Sequence, residues 1–235
     1  MPSIANIRPL ALAIAMVAGF ALPGHAEDKS GSNVAEGAGG GGGAVAQLAM
    51  AQQLYRDGDE NEDALAVLAA ARIAQSVDAR DVEREVETRE IEGADLTEDG
   101  EGVDAPADAA AMLDTAMDLA AGDPALTGLI EDARAEGSRG RVGGASRTLS
   151  RLMPGRTDIF RTQFRGGQLA EIAIVGDGDA DLDMVVTDEN GNTICVDRSY
   201  SDKIYCSFTP AWTGTFVIGV RNQGRIRNSY YILTN

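Results

Sequence analysis

The sequence predicts an α+β protein in which an N-terminal α-helical region precedes a C-terminal antiparallel β-sandwich of jelly-roll type. Apolar residues recur at helical spacing between residues 44 and 136, and from about Thr157 the pattern changes to short alternating runs rich in Val, Ile, Thr, Phe and Tyr. The distribution of charged residues also changes along the chain, after residue 136. Residues 27–136 hold 27 acidic against 7 basic residues, whereas residues 137–235 hold 10 against 12.

Residues 1–26 have the pattern of a secretory signal peptide. Arg8 precedes an apolar run from Leu10 to Leu22, and cleavage is predicted after Ala26. The run has 13 residues, fewer than the roughly 20 that span a bilayer, and no later stretch is longer, so we predict no transmembrane segment. We therefore expect a periplasmic or extracellular protein.

The composition excludes several kinds of catalytic centre. The only histidine, His25, lies in the segment that the predicted cleavage removes. The remaining chain then has no histidine for a Ser-His-Asp triad, a Cys-His pair or a zinc site. Its acidic half repels nucleic acid, so we predict no nucleic-acid partner.

The segments that follow the signal differ in composition. The glycine-rich residues 27–43 predict a flexible, disordered leader with nothing to bury. Residues 44–78 predict a helical hairpin that breaks near Gly58 and is similar to one tetratricopeptide unit. Because one helix pair cannot bury its own apolar face, we expect this hairpin to pack on another part of the chain.

The rest of the acidic region, which ends at residue 136, predicts further helix around a mobile insert at residues 92–105. Residues 106–136 return to helical spacing, with a turn at Gly122. Residues 137–156 are rich in arginine and glycine and predict a linker. The alternative is that its arginines dock on an anionic surface or on the chain's own acidic half.

Seven short runs predict the strands of a sandwich over residues 157–235. They are DIFRTQF, LAEIAIV, LDMVVTD, NTICVD, KIYCSF, GTFVIGV and SYYILT. Asn190 and Gly191 form a dipeptide typical of a tight hairpin turn. Cys195 and Cys206 lie on the next two strands, and export makes them natural disulfide partners that would tie neighbouring strands.

The C-terminal third also carries a family pattern. It consists of GDGDADLDMVVTDENGNTICVD, SFTPAWTGTFVIGVRNQG and a closing NSYYILTN, with Asp158-Ile159-Phe160 upstream. With these marks, residues 155–235 resemble the bacterial pre-peptidase C-terminal domain. The resemblance implies a small jelly-roll sandwich of the kind appended to secreted enzymes or surface proteins. It also implies the calcium or polymer binding known for several members.

Alternating aspartates in GDGDADLD form the one group with metal chemistry in the sequence. Carboxylates at every second position before a strand can converge on a hard cation such as calcium. An EF-hand is excluded, since Leu182 stands where that loop requires glycine. An alternative is an acidic, solvated edge whose aspartates accept hydrogen bonds in turns. The candidate calcium ligands are Asp177, Asp179, Asp181, Asp183 and Asp197.

Three functions are compatible with these features. We expect a non-catalytic exported binding protein whose acidic helical half contacts a protein partner. One alternative is a polysaccharide-binding accessory module for a separate secreted hydrolase, which requires an exposed aromatic surface that includes Trp212 and Tyr200. Another is a small carboxylate-based hydrolase, which requires two carboxylates in one pocket.

Overall fold

The fold was obtained as a computed structural model that describes residues 29–36, 42–94, 102–137 and 142–235. The predicted signal peptide lies outside these residues. Helices occupy the N-terminal part and two sheets form a sandwich, which confirms the α+β prediction. The helices are α1 (Ala44–Glu60), α2 (Ala64–Gln75), α3 (Ala109–Leu119) and α4 (Pro124–Glu136). The strands are β1 (Val77–Asp81), β2 (Val86–Glu90), β3 (Val142–Leu152), β4 (Arg156–Phe164), β5 (Ala170–Gly176), β6 (Leu182–Thr187), β7 (Thr193–Asp197), β8 (Lys203–Phe208), β9 (Gly214–Asn222) and β10 (Asn228–Thr234).

Three of the helices begin at a capping aspartate. The side chains of Asp63, Asp108 and Asp123 accept hydrogen bonds from the first backbone N–H groups of α2, α3 and α4. These are donors that a helix cannot pair internally. The alanine-rich apolar stripes then pack together around Met112 and Ile130. Of the helices in the described residues, none is long and apolar enough to cross a lipid bilayer.

Two five-stranded sheets enclose the main core. Sheet A has the order β1-β3-β10-β5-β8, and sheet B has the order β2-β4-β9-β6-β7. All seven predicted runs form strands, β4 to β10. Alternate residues such as Phe160, Leu182 and Phe216 fill the space between the sheets, as the period of two requires.

Three further strands come from segments for which the sequence predicts other structure. β1 and β2 lie within the region predicted as helical, and β3 lies within the predicted linker 137–156. The linker prediction is wrong from residue 142 onward, because β3 is an inner strand of sheet A in which Ala145 and Leu152 are fully buried. Small residues suit β3, since α1 packs against it.

The helical layer covers the outer face of sheet A. Val45 and Leu48 of α1 pack with Ala173, Val175 and Leu233 of the sheet, so β5 is buried along its whole length. The hairpin therefore packs on another part of the chain, as expected. The molecule has three layers, which are helices, sheet A and sheet B, and no described helix covers the outer face of sheet B.

The sandwich is closed on both sides, where the edge strands of its two sheets lie. On one side a disulfide joins Cys195 of β7 to Cys206 of β8, with Cα atoms 6.4 Å apart. The two strands are consecutive in the chain but belong to opposite sheets, so the bridge ties the sheets together rather than neighbouring strands of one sheet. On the other side the chain passes from β1 in sheet A to β2 in sheet B. There Arg84 donates hydrogen bonds to Ser146, Thr148 and Thr234.

Residues 29–36, which we call the N-terminal strap, are packed on one end of the sandwich. Asn33 is fully buried. Its N–H donates to Asp188 Oδ2 at 2.8 Å, and its Oδ1 accepts from the Trp212 N–H at 2.9 Å. The prediction of a disordered leader with nothing to bury is therefore wrong for the strap, because a buried asparagine and its partners hold it in place.

Three arginines of the predicted linker and of β4, Arg147, Arg156 and Arg161, pair with the chain's own acidic residues. Arg147 Nε lies 2.6 Å from Asp81, and Arg156 lies 3.0 Å from Glu90. These arginines therefore dock on the chain's own acidic half, which is one of the alternatives that the sequence left open. Such exposed pairs add little stability each, but they place opposite charges along the edge strands β1 and β2.

Candidate binding site at the aspartate loop

The aspartate loop, residues 177–181, joins β5 to β6 at one end of the sandwich. The loop between β7 and β8 and the C-terminal end of α1 meet it there. Together they enclose a pocket of about 230 Å³. The lining residues are Arg56, Glu60, Gly178, Asp179, Ala180, Asp181, Tyr200, Ser201 and Asp202.

Four of the five predicted calcium ligands accept hydrogen bonds from the protein itself. The pairs are Ser229 N to Asp177 (2.6 Å), Val103 N to Asp179 (2.7 Å), Gln223 Nε2 to Asp183 (2.6 Å) and Ser199 N to Asp197 (2.9 Å). Within the described residues, which include all five aspartates, no group of three acidic, His or Cys side chains could hold a metal ion. The five carboxylates are thus not gathered around one point in this structure, and calcium binding stays a prediction.

A lysine supplies the positive charge beside this loop. Lys203 Nζ lies 2.8 Å from Asp202 Oδ1 and donates to the Gly176 carbonyl at 3.1 Å. Both side chains of the ion pair are less than a tenth exposed. The second carboxylate oxygen of Asp202 accepts from Gly178 N at 2.6 Å. Lys203 and Asp202 are neighbours in the chain, and their bonds to the Gly176 carbonyl and from the Gly178 N–H tie the loop to the start of β8. Sequence reasoning missed this buried pair.

Asp181 is the exception in the loop. Its Oδ1 is buried without a hydrogen-bond partner in the described part of the chain. Burial raises the pKa of Asp181 above its ordinary value, and the negative charge of Asp183 adds to this effect. Burial also raises the pKa of Asp177. Shifted pKa values in a concave site mark a candidate functional site.

The pocket contains carboxylates, but nearly all of them are engaged by the protein. Asp202 is neutralised by its lysine, Asp179 accepts a backbone N–H, and Glu60 lies 3.7 Å from Arg56 Nε. Asp181 alone among the lining carboxylates keeps a buried oxygen without a donor. Acid–base catalysis by two carboxylates needs a second group that can exchange protons with the substrate. The arrangement therefore suits binding better than hydrolysis.

The two predicted aromatic binding residues lie at opposite ends of the sandwich. Tyr200 precedes β8, lines the pocket and is 98% exposed. Trp212 follows β8, and its Nε1 donates to Glu189 at 2.6 Å beside the N-terminal strap. The length of a strand separates them, so they do not form a common aromatic surface.

A second cavity of about 240 Å³ lies between the helical layer and sheet A. Its walls are polar and apolar in nearly equal parts, and its polar side chains are already paired. Gln52 donates to the Ala107 carbonyl, while Arg147 pairs with Asp81 and lies 4.9 Å from the Tyr231 ring centroid. This cavity offers a ligand few free polar groups, so we take the aspartate-loop pocket as the candidate site.

The chain was compared with known proteins. No family model matches it, and no curated protein matches it. Among solved structures, it is similar to the pre-peptidase C-terminal domain of collagenase from Bacillus anthracis, with 9% identity and a TM-score of 0.27 over 67% of this chain and 95% of that one. A likeness this weak carries no argument about function.

Proposed function

We propose that this protein is an exported, non-catalytic binding protein, in which the sandwich is a rigid platform and the acidic helical layer contacts a protein partner. The observation that carries the proposal is the state of the carboxylates at the candidate site. Apart from Asp181, they are held by backbone donors and by Lys203 rather than left free for proton transfer. The disulfide supports export, since such bonds persist in oxidising compartments.

The helical layer supports the choice of a protein partner with a basic surface. Its alanine-rich stripes are buried against one another and against sheet A, and the charged side chains left outside are mainly acidic. A surface of one charge attracts partners of the opposite charge and repels anionic polymers. The exposed acids of the helices, their caps and the turns within each helix pair are Asp57, Asp59, Glu60, Glu62, Asp63, Asp108, Asp114, Asp118, Asp123, Glu131, Asp132 and Glu136.

The partner is tested by crosslinking the protein in its native compartment and measuring its affinity for the captured protein. We expect that affinity to fall steeply with ionic strength and with Asp118→Asn/Glu131→Gln/Asp132→Asn, three exposed acids on α3 and α4. Arg89→Gln on β2 is the control and leaves the affinity unchanged. Affinity that is insensitive to both salt and the triple variant would contradict the proposed partner surface.

The absence of catalysis is tested by assaying the purified protein on peptide and glycan substrates. We expect no turnover. Hydrolysis that is lost in Asp181→Asn and kept in Asp118→Asn would overturn the proposal and establish the carboxylate-based hydrolase, because Asp181 lines the pocket whereas Asp118 is an exposed residue of α3.

Calcium is tested separately by thermal unfolding with the cation and with a chelator. Equal midpoints would show that the internal positive charge of Lys203 takes the place of a cation at the loop. A rise in the midpoint with calcium that disappears in Asp181→Asn/Asp183→Asn would establish a metal site at the aspartate loop.

A further inference from the structure

The outer face of sheet B, which no described helix covers, has a shallow depression at its centre. The strand registers place Ile159 of β4, Gly219 of β9, Val185 of β6 and Val196 of β7 in one row across the sheet. The glycine has no side chain, and only Val185 O and Thr157 Cγ2 lie within 4 Å of the position a Cβ would take there. The row therefore forms a shallow apolar floor.

Polar side chains border this floor on one side. The next row of the register holds Thr157, Arg221 and Asp183, and Arg198 follows the end of β7. These residues surround a groove of about 330 Å³, within the size range of small-ligand sites. The lining residues are Thr157, Asp183, Val185, Arg198, Gly219, Arg221 and Gln223.

The two arginines of this groove differ from the other arginines of the sheet. Arg156 and Arg161 form ion pairs with acids of β2. Within the described part of the chain, the side chains of Arg198 and Arg221 have no ion pair or hydrogen bond, and Arg221 Nε is buried without a partner. An unpaired buried donor is costly unless a ligand or water satisfies it.

Asp183 does not neutralise Arg221, although the two are register partners. Its Oδ2 accepts instead from Gln223 Nε2 at 2.6 Å. The groove thus combines two guanidinium groups free to take an anion with a carboxylate, an amide and a hydroxyl able to bind neutral polar groups.

We infer that this groove binds a uronic-acid unit of an acidic polysaccharide. The two guanidinium groups take the sugar carboxylate, for which their planar donors are suited. Asp183, Gln223 and Thr157 bind the ring hydroxyls, and the apolar floor supports the ring. The inference rests on the proposed binding function. It places a polysaccharide ligand on the outer face of sheet B, opposite the helical layer.

Two other ligands suit the groove less well. No aromatic side chain lines it, so a neutral sugar that depends on ring stacking lacks its platform. An extended peptide usually adds to a sheet at an edge strand. Here the floor is formed mainly by β9 and β6, which are paired on both sides within sheet B, so their backbone groups are not available to a peptide.

The test is a calorimetric titration of the purified protein with polygalacturonate, with a neutral galactan and with poly-L-glutamate. We expect binding to polygalacturonate alone, weakened by salt. Arg198→Gln and Arg221→Gln are each expected to lower the affinity of the protein for polygalacturonate about tenfold or more, as the loss of a charge-assisted hydrogen bond implies. Arg161→Gln is the matched control, because Arg161 lies on the same face but pairs with Glu87 outside the groove.

Absence of binding to polygalacturonate would overturn the inference, as would equal binding by the two groove variants and the control. Equal binding of poly-L-glutamate would show an unselective anion surface and would also overturn it. Arg198 is exposed at the end of a strand, so its variant tests the groove even if Arg221→Gln fails to fold. None of these outcomes bears on the hydrolysis test, so the inference and the proposed function can fail separately.

Discussion

The buried pair of Lys203 and Asp202 shows how single residues hold the candidate site. Two charges are taken out of water here, and each has a second bond, to the Gly176 carbonyl and from the Gly178 N–H. A buried pair of this kind adds little net stability over an apolar pair, but removing one partner leaves an uncompensated charge.

We therefore expect Asp202→Asn to lower the free energy of unfolding by about 3 to 5 kcal/mol, measured by urea denaturation. Arg156→Gln is the control, since it breaks an exposed pair with Glu90 and should cost less than about 1 kcal/mol. Equal, small losses in both variants would show that the buried pair does not hold the loop.

Two aspartates should respond to pH in opposite ways. Burial and the charge of Asp183 raise the pKa of Asp181 in the folded state. Burial also acts to raise the pKa of Asp188, but hydrogen bonds from Asn192, Asn33 and Asn190 outweigh it and lower that pKa overall. A raised pKa means that the ionised form destabilises the fold, and a lowered pKa means that it stabilises the fold.

At neutral pH we therefore expect Asp181→Asn to raise the unfolding temperature and Asp188→Asn to lower it. The gain in Asp181→Asn should shrink as the pH falls through the raised, folded-state pKa of Asp181. The loss in Asp188→Asn should shrink as the pH falls from the ordinary value of 3.8 through the lowered pKa of Asp188. Melting curves over a pH series check both, and differences that do not depend on pH would contradict the assignment.

At the scale of elements, the contact between α1 and sheet A decides whether the sandwich can fold without the helices. Val45 is fully buried in this contact, whereas Met50 of the same helix is 53% exposed. We expect Val45→Asp to cost about 3 kcal/mol or more, because it buries a carboxylate against apolar side chains. Met50→Asp should be nearly neutral in the same denaturation experiment.

A truncated chain that begins at Ser146 tests the same contact. It lacks the N-terminal strap, all four helices, β1, β2 and the first four residues of β3. It therefore exposes the apolar outer face of sheet A, where Ala173 and Val175 lie. We expect weak thermal cooperativity and strong binding of a hydrophobic dye. A sharp, reversible melt with little dye binding would show that the helical layer is dispensable for folding.

The elements that could be predicted from the sequence are those whose own residues alternate. Strands β4 to β10 are built from branched and aromatic residues at every second position, as in Leu182, Met184 and Val186, all of which are buried. β3 has small and polar residues instead, because α1 packs on its outer face and Ser150 faces inward to bind Asp158. Its neighbours, and not its own sequence, make it a strand.

The candidate site was predictable only in part for a similar reason. The alternating aspartates mark the loop in the sequence, but their partners are distant in the chain. Lys203 lies at the start of β8, and Ser229 at the start of β10. Arg198 and Arg221 meet only because β7 and β9 both flank β6 in sheet B. Such pairings depend on strand order, which a single sequence does not reveal.

At the scale of the whole molecule, a disulfide cross-links the two sheets. Cys195 and Cys206 are 11 residues apart, and closing a loop of this size removes about 3 kcal/mol of unfolded-chain entropy. We expect Cys195→Ala/Cys206→Ala to lose stability of this order in urea denaturation, and the unaltered protein to lose a similar amount under reducing conditions. Stability unaffected by both treatments would show that the bridge adds nothing to the fold.

The N-terminal strap also sets the order in which the molecule can be completed. Asn33 binds the Trp212 backbone across 179 residues of chain, one of the longest-range contacts in the fold. A ribosome makes the strap well before its binding place, so a nascent chain lacks that place until residue 212 has emerged. Contacts so distant in sequence form slowly. The strap can therefore dock only after β8 has been made. Late docking fits the predicted export, because a chain that has not finished folding can still be threaded through a membrane channel.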